Sequence, residues 1–395
     1  MKFLVVSLIL MGQQVFAFVE HLQPRIVARA SLADGYQLPS STLFTNATPS
    51  LNDQGHMAMG LSLIDGVEIS GVWTYGHGGK TIPYFRKNDA YKIGQIYLDQ
   101  QGGFCFSVKN ETQLVSFVQA KLTKTGYQFK ELLDDENLWN YAGFKNIICK
   151  NDKVFFKAKD FRNQYGLFVY DFKTVKNIDL ENNRRQNKPK SYLFSMAVSD
   201  QGYLAYKARL GERGEVGESR PDVIILANEV SKNIVAYDKN YQQNSPWITL
   251  RNSVSVNDLQ EVAFVAQHEN GKHSLVVSDG KKTRVYATEG KEVQEISYFS
   301  PSINNKSHVA FRGINKFGKH AVFMADGKSV KEVITQNQVI HSDKEEAFKI
   351  FYGPHVPFGG SISLNNKDEI LLNSGLSDLS GKKDRGKAVI FIPSK

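Results

Sequence analysis

The side chains able to do chemistry are spread thinly along this 395-residue chain, and few of them cluster. His341 and His355 share one polar stretch and are the histidine pair that could hold a metal or move a proton. No cysteine or carboxylate pattern beside them completes such a site. His56 and His308 stand at equivalent places in a repeat described below, as do His273 and His320, which marks them as framework. The H-E-x-x-H, G-x-S-x-G and Walker patterns are absent. No catalytic residue, metal ligand or cofactor is therefore assigned. Carboxylates brought together from different repeats could cleave a glycan, but their separation is not readable from sequence.

Binding residues are easier to nominate. Arg184, Arg185, Lys188 and Lys190 lie in one polar segment, Arg213 and Arg220 in a second, and Arg385 beside Lys382 and Lys383 in a third. Such cations suit an anionic partner, although Glu212, Glu215 and Glu218 dilute the second group. Trp139, Trp247, Tyr352 and Phe358 fall in the same kind of segment. Exposed rings there could stack on sugars or anchor a peptide.

Composition sets the frame for these residues. Hydrophobic residues make up 41% and charged residues 23%, which fits a folded chain and excludes disorder as its main state. The 25 Phe and 17 Tyr lean towards β-structure. Met1 and Lys2 precede an apolar run from Phe3 to Met11, and Val15-Phe16-Ala17 places small residues where a signal peptidase reads. Residues 1–17 are therefore expected to be a signal peptide. The apolar run is too short for a membrane anchor, and none follows that is long enough to span a bilayer. Cleavage would leave 378 residues (395 less 17) and lower the formal charge from +9 to +8 by loss of Lys2. The expected location is the periplasm, outer surface or medium of a bacterium, which makes nucleic acid a poor partner. In that setting Cys105 and Cys149 could form one disulfide.

The mature chain carries a repeat. Ser300 to Phe311 is followed, after a loop, by Ala321 to Ile334. The same order of features recurs at 48–59, 95–106, 145–156, 195–206, 253–264 and 361–372. A short apolar segment ends at a turn-forming residue, and a second apolar strand follows. The anchors are Asn52, Asp99, Cys149, Ser199, Asn257, Asn304 and Asn365, spaced by 47, 50, 50, 58, 47 and 61 residues. A third strand, an Asp-Gly-Lys turn at 326–328 and a fourth strand complete one unit. Four antiparallel strands every ~50 residues is the sequence form of a β-propeller blade.

The segment Pro301-Ser-Ile-Asn-Asn-Lys-Ser-His-Val-Ala-Phe311 resembles the P-x-W-S-P-D-G-x-x-I-A-F repeat of TolB-type propellers. It is also similar to the N-x-x-G-x-V-A-F tandem repeats of secreted bacterial proteins of unassigned function. The Trp of the TolB repeat is missing from every copy, and Pro is kept only at Pro49 and Pro301. The resemblance implies architecture rather than activity.

The expected fold is all-β: a seven-bladed propeller of four-stranded antiparallel blades, forming one domain over 18–395. The last unit lacks a fourth strand, and a segment at about 23–30 is expected to supply it. Cys105 falls in the second strand of one blade and Cys149 at the end of the first strand of the next. Sheets packed about 10 Å apart do not favour that bridge. The long connections, 179–191, 210–222, 238–251, 335–360 and 375–387, all read as loops on one face. That face is expected to bind a protein or an anionic envelope glycan. A glycan-active hydrolase or lyase with its site in the central funnel is the alternative, and a lectin for a small molecule is the third.

Overall fold

The computed structural model describes residues 23–394 except 31–37, 39–41, 64–68, 77–78, 86–91, 110–114, 133–137, 139, 151, 183–188, 213 and 351–356. Residues 1–17 and the cleavage site lie outside the described residues.

Strand follows strand along the whole chain, and neighbours in sequence pair into radial sheets. Each blade can be lettered a to d from the inside out. Blade 1 has a broken a strand (Thr42–Phe44 and Ser50–Leu51), then Met57–Leu63, Gly71–Gly76 and Gly79–Phe85. Blade 2 repeats this with Lys92–Ile93 and Tyr97–Leu98, then Phe104–Lys109, Val115–Thr123 and Gly126–Leu132. Blade 3 is Ala142–Lys150, Lys153–Lys159, Tyr165–Tyr170 and Val175–Leu180. Blade 4 is Lys190–Val198, Leu204–Leu210, Asp222–Ala227 and Lys232–Tyr237. Blade 5 is Thr249–Val256, Val262–Gln267, His273–Ser278 and Thr283–Thr288. Blade 6 begins with Glu295–Ile296 and Ser302–Ile303, then Val309–Ile314, His320–Ala325 and Val330–Thr335.

The remaining strands build a sheet of another kind, and here the expectation of seven four-stranded antiparallel blades is corrected. Among the described residues, six sheets are wholly antiparallel blades with four strand positions each, every one cut from a continuous stretch of chain. The sheet that closes the ring has six strands and mixes directions. Its strands Phe358–Leu364, Ile370–Ser377 and Asp384–Ile392 come from the C-terminal region. Arg25–Ala30 lies antiparallel beside the last of them, with Arg25 opposite Phe391 and Ala30 opposite Lys387. A hairpin, Val339–Ser342 with Ala347–Ile350, then adds to Arg25–Ala30 in parallel. The hairpin curls back so that Ile350 also pairs with Leu376. Part of the presumed 335–360 loop is thus folded sheet. The presumed 375–387 loop is largely strand, with a turn at 378–383.

Burial explains why the b strands carry their sequences. Val262-Ala-Phe264 and Val309-Ala-Phe311 have a blade packed against each face, so all six residues are buried. The hydrophobic clusters are interfaces between neighbours. One joins Val27, Val389 and Leu371 of the closing sheet to Met57 and Trp73 of blade 1. Another joins Ile370 and Ile390 to Ala310 and Val322 of blade 6.

Polar ties run between blades as well. Asn257 Nδ2 donates to the Asn304 carbonyl, Asn304 Nδ2 to Asn365 and Asn365 Nδ2 to Asn52, each at 2.9 Å. Asn52 Nδ2 continues the circuit to the Asp99 carbonyl at 2.8 Å. Each of these Asn residues also caps its own turn. Asn304 Oδ1, for example, accepts from the Lys306 and His308 amides.

Cys105 and Cys149 form a disulfide between blades 2 and 3, with Cα atoms 6.1 Å apart. The ~10 Å spacing of parallel-packed sheets does not apply here. Radial sheets converge towards the axis, and the two residues sit on inner strands.

Two measurements test these ties. Asn304→Ala is expected to cost about 3 kcal/mol, because two cross-blade and two turn hydrogen bonds go with it. A chemical denaturation midpoint equal to wild type would contradict that. Reducing the disulfide, which spans 44 residues, should cost at most about 4 kcal/mol of unfolded-state entropy. The comparison is a melt with and without reductant.

Candidate functional site

The a strands surround a central channel of about 720 Å³. One end is closed in by the a–b turns. The residue after each anchor points along the ring and binds its neighbour. Asp53 Oδ1 and Oδ2 accept from the Asn366 amide and Nδ2 at 2.7 and 2.8 Å. The Asp53 amide donates to Gln100 Oε1, and Gln100 Nε2 donates to Asp200 Oδ2 at 2.7 Å. Lys150 of blade 3 also binds Asp200. The next residue, Gln201, donates its amide to Asp258 Oδ1. Asp258 and Asn305 exchange two bonds at 2.8 Å, and the Asn305 amide returns to Asn366 Oδ1. The circuit is complete.

Three channel carboxylates, Asp53, Asp200 and Asp258, are therefore held as acceptors in this belt. Burial by itself would raise the Asp200 carboxyl. The Lys150 charge, with hydrogen bonds from Lys150 and Gln100, outweighs it and holds Asp200 below the usual carboxylate range.

The opposite mouth is built differently. Every a strand loses register or breaks near its start, as between Leu193 and Met196 or Leu250 and Val254. Those breaks free backbone carbonyls that need donors. A residue from the middle of a b strand supplies them from the preceding blade. Lys157 reaches the Leu193 carbonyl and Lys207 the Leu250 carbonyl. Arg312 reaches Gly360, and Asn373 reaches both Thr45 and Ala47. Burial pulls the Arg312 guanidinium down to about 10, so it stays charged at neutral pH.

Rings cover these cations. Lys157 Nζ lies 4.1 Å from the centre of the Tyr192 ring and Lys207 Nζ 4.6 Å from Phe194. The Arg251 and Arg312 guanidinium carbons lie 4.0 and 3.8 Å from Tyr298 and Phe299. Tyr298 is 73% exposed, Phe299 41% and Tyr192 40%.

Beneath the rim of blade 4 sits a buried charge cluster. Lys207 meets Asp222 at 2.6 Å, and Arg209 grips the same carboxylate twice, at 2.8 and 2.9 Å. Asp179, fully buried, takes Lys190 and Lys232 at 3.0 Å and the Tyr206 hydroxyl at 2.6 Å. Burial would raise Asp179, but Lys190, Tyr206 and Lys232 together hold it below its usual range. Burial pushes Asp238 up, and the nearby Asp222 adds to the effect.

The nominated residues fare unevenly. Trp139, Arg184, Arg185, Lys188, Arg213, Tyr352 and His355 lie outside the described residues. Trp247 is buried, edge-on to His268 at 4.7 Å, and Phe358 is buried in the closing sheet. Neither ring can meet a ligand, because both fill gaps under the connections they belong to. Arg220 is paired with Glu215. His341 is exposed on the added hairpin, opposite Arg25. Arg385 is half-buried, and its carbonyl accepts from Arg29. The rim rings were missed. Their signal is positional: Phe144, Phe194 and Phe299 each stand five residues before an anchor.

No protein-family model matches the sequence, and no curated protein matches it. Solved structures do. The β-propeller domain of the Trilobed protease from Pyrococcus furiosus superposes with a TM-score of 0.57 at 10% identity, over 90% of this chain and 97% of that one. The polysaccharide lyase Uly1 gives 0.54 at 8% identity, over 94% and 98%. A puromycin-hydrolyzing peptidase from Mycobacterium tuberculosis gives 0.50 at 8%, over 92% of this chain and 55% of that one. The chain has a β-propeller fold. At these identities the likeness extends to fold alone. Among the described residues, no helix is long and apolar enough to cross a membrane, and no group of three or more His, Cys, Asp or Glu could hold a metal.

The belt and the buried charge cluster share a pH signature. Asp200 and Asp179 are depressed in the folded state, so their contribution is present above the unfolded carboxylate value of about 4 and is lost as pH falls through the folded values. Melting curves from pH 7 to 3 should show that fall. Asp200→Asn should begin about 2 kcal/mol lower at pH 7 and decline less on acidification; parallel declines would argue against Asp200 as a source.

Proposed function

We propose that the chain is an exported binding module that holds a protein or an envelope glycan on its long-loop face, at the channel mouth. The exposed rim carries the reading: Tyr192, Tyr298 and Phe299 face solvent while cations fix them from behind, Lys157 and Arg251 from the preceding blade and Arg312 from the same blade as its ring. Rings held in place lose little entropy when a partner covers them, which favours binding over loose surface contact. The disulfide fits an oxidising compartment and so supports export. The enzyme alternative gains no support from the funnel carboxylates, since Asp53, Asp200 and Asp258 each already accept two hydrogen bonds from the belt. A site of acid–base work needs a carboxyl free to meet substrate.

The test is co-sedimentation with isolated bacterial envelope fragments. Tyr298→Ala should lower the bound fraction severalfold while the melting temperature stays close to wild type, because that ring is mostly in solvent. Equal binding by the variant would remove the rim from the proposal.

A further inference from the structure

We infer that the channel mouth over blades 2 and 3 is a binding site for an acidic oligosaccharide, a deepening that rests on the binding reading above. In blade 3, Lys145 of the a strand stands directly opposite Lys157 of the b strand. In blade 2, Lys92 stands opposite Lys109 at the same end. Like charges placed opposite one another across a strand pair, as Lys145 and Lys157 are, destabilise it.

The cluster is compact. The ammonium groups of Lys145, Lys157 and Lys159 lie 5.4, 5.1 and 5.2 Å from the centre of the Tyr165 ring. Lys159 and Lys109 occupy the same place in their b strands, five residues beyond Val154 and Phe104. One carboxylate answers this charge: Glu181, bound by Lys157 at 3.0 Å. Among the described residues, Lys109, Lys145 and Lys159 have no acidic partner. Lys109 and Lys145 line the channel itself, beside Phe144.

The aromatic groups narrow the ligand. Lys157 sits behind Tyr192 and draws the ring's electron density inward. The outer face is left less negative. It accepts an anionic group more readily than a free ring would, and it disfavours a cationic ligand. Two rings, Phe144 in the wall and Tyr192 on the rim, flank the lysines. That fits a short saccharide whose stacking faces alternate with carboxylates better than a nucleic acid strand, which needs a row of stacked bases. The far end of the channel is acidic, so a polyanion would lie across the mouth rather than thread through.

Calorimetric titration decides the matter, using oligogalacturonate, a neutral malto-oligosaccharide of equal length and a short single-stranded oligonucleotide. Wild type should bind oligogalacturonate, more weakly as salt rises, and ignore the neutral sugar. Lys145→Glu with Lys159→Glu should bind about tenfold more weakly or worse; Lys145→Gln with Lys159→Gln replaces it if the reversal does not fold. Tyr192→Ala should weaken the acidic sugar without changing the salt slope. Lys281→Glu with Lys282→Glu, on an exposed turn at the other face, should change nothing. No oligogalacturonate binding, or equal binding by the lysine variants, overturns the inference. Oligonucleotide binding as tight as sugar binding and indifferent to Tyr192 overturns it too, leaving a general polyanion surface. If envelope binding still depends on Tyr298 in any of those cases, the broader reading survives; if that dependence is also absent, both fall.

Discussion

Ring closure by side-chain amides is the constraint on which the rest depends. A radial array of sheets buries apolar residues only if every blade has a neighbour on both faces, so one open seam would expose two interfaces. The Asn257–Asn304–Asn365–Asn52–Asp99 sequence of bonds ties blades 5, 6, the closing sheet, 1 and 2 through backbone carbonyls. The belt through Asp53, Gln100, Asp200, Gln201, Asp258, Asn305 and Asn366 then links the a–b turns around the whole circle by side-chain and backbone-amide bonds. The N-terminal and C-terminal halves of the chain meet at Asn366 and Asp53, where two bonds are made to one carboxylate. Charge-assisted bonds are stronger than neutral ones, and here two of them hold the C-terminal part of the closing sheet to blade 1.

The same closure dictates the other mouth. Inner strands crowd near the axis and cannot keep a regular ladder along their whole length. Where they break, carbonyls are released, and Lys157, Lys207, Arg312 and Asn373 reach across to bind them. Burying a cation is costly unless it is paired or well bonded. Glu181 and Asp222 supply countercharge for the two lysines, while a ring covers Arg312. Rim aromatics thus begin as solutions to a desolvation problem. Their outward faces are a by-product available for recognition.

Much of the architecture was legible in the sequence, because the anchors combine two local signals that survive divergence. Asn, Asp or Ser ends an apolar run, and a doubly buried strand such as Val-Ala-Phe follows. The closing sheet was less legible. Its hairpin at 339–350 has too few residues per strand for a periodic signal, and its pairing with Arg25–Ala30 joins residues more than 300 positions apart. The 375–387 segment hid strand residues behind Gly, Ser and Lys, which read as turn formers. The cysteine pair is not legible from a fixed sheet spacing, because radial sheets converge towards the axis and bring its Cα atoms to 6.1 Å.

The candidate site was hidden for a different reason. Trp247 and Phe358 were attractive because large rings in long connections look available, yet large rings are what a long connection needs to fill its own base. The rings that do reach solvent lie inside the repeat, five to seven residues before Ser199 and Asn304, where composition gives no hint of a break in the strand. The lysines opposite one another in blades 2 and 3 were equally quiet, since each sits in an ordinary alternating strand and only the register brings them together. Local patterns reveal what stabilises a blade. Groups placed against stability become visible only when strands are paired, and in this ring they gather at one mouth of the channel, over two neighbouring blades.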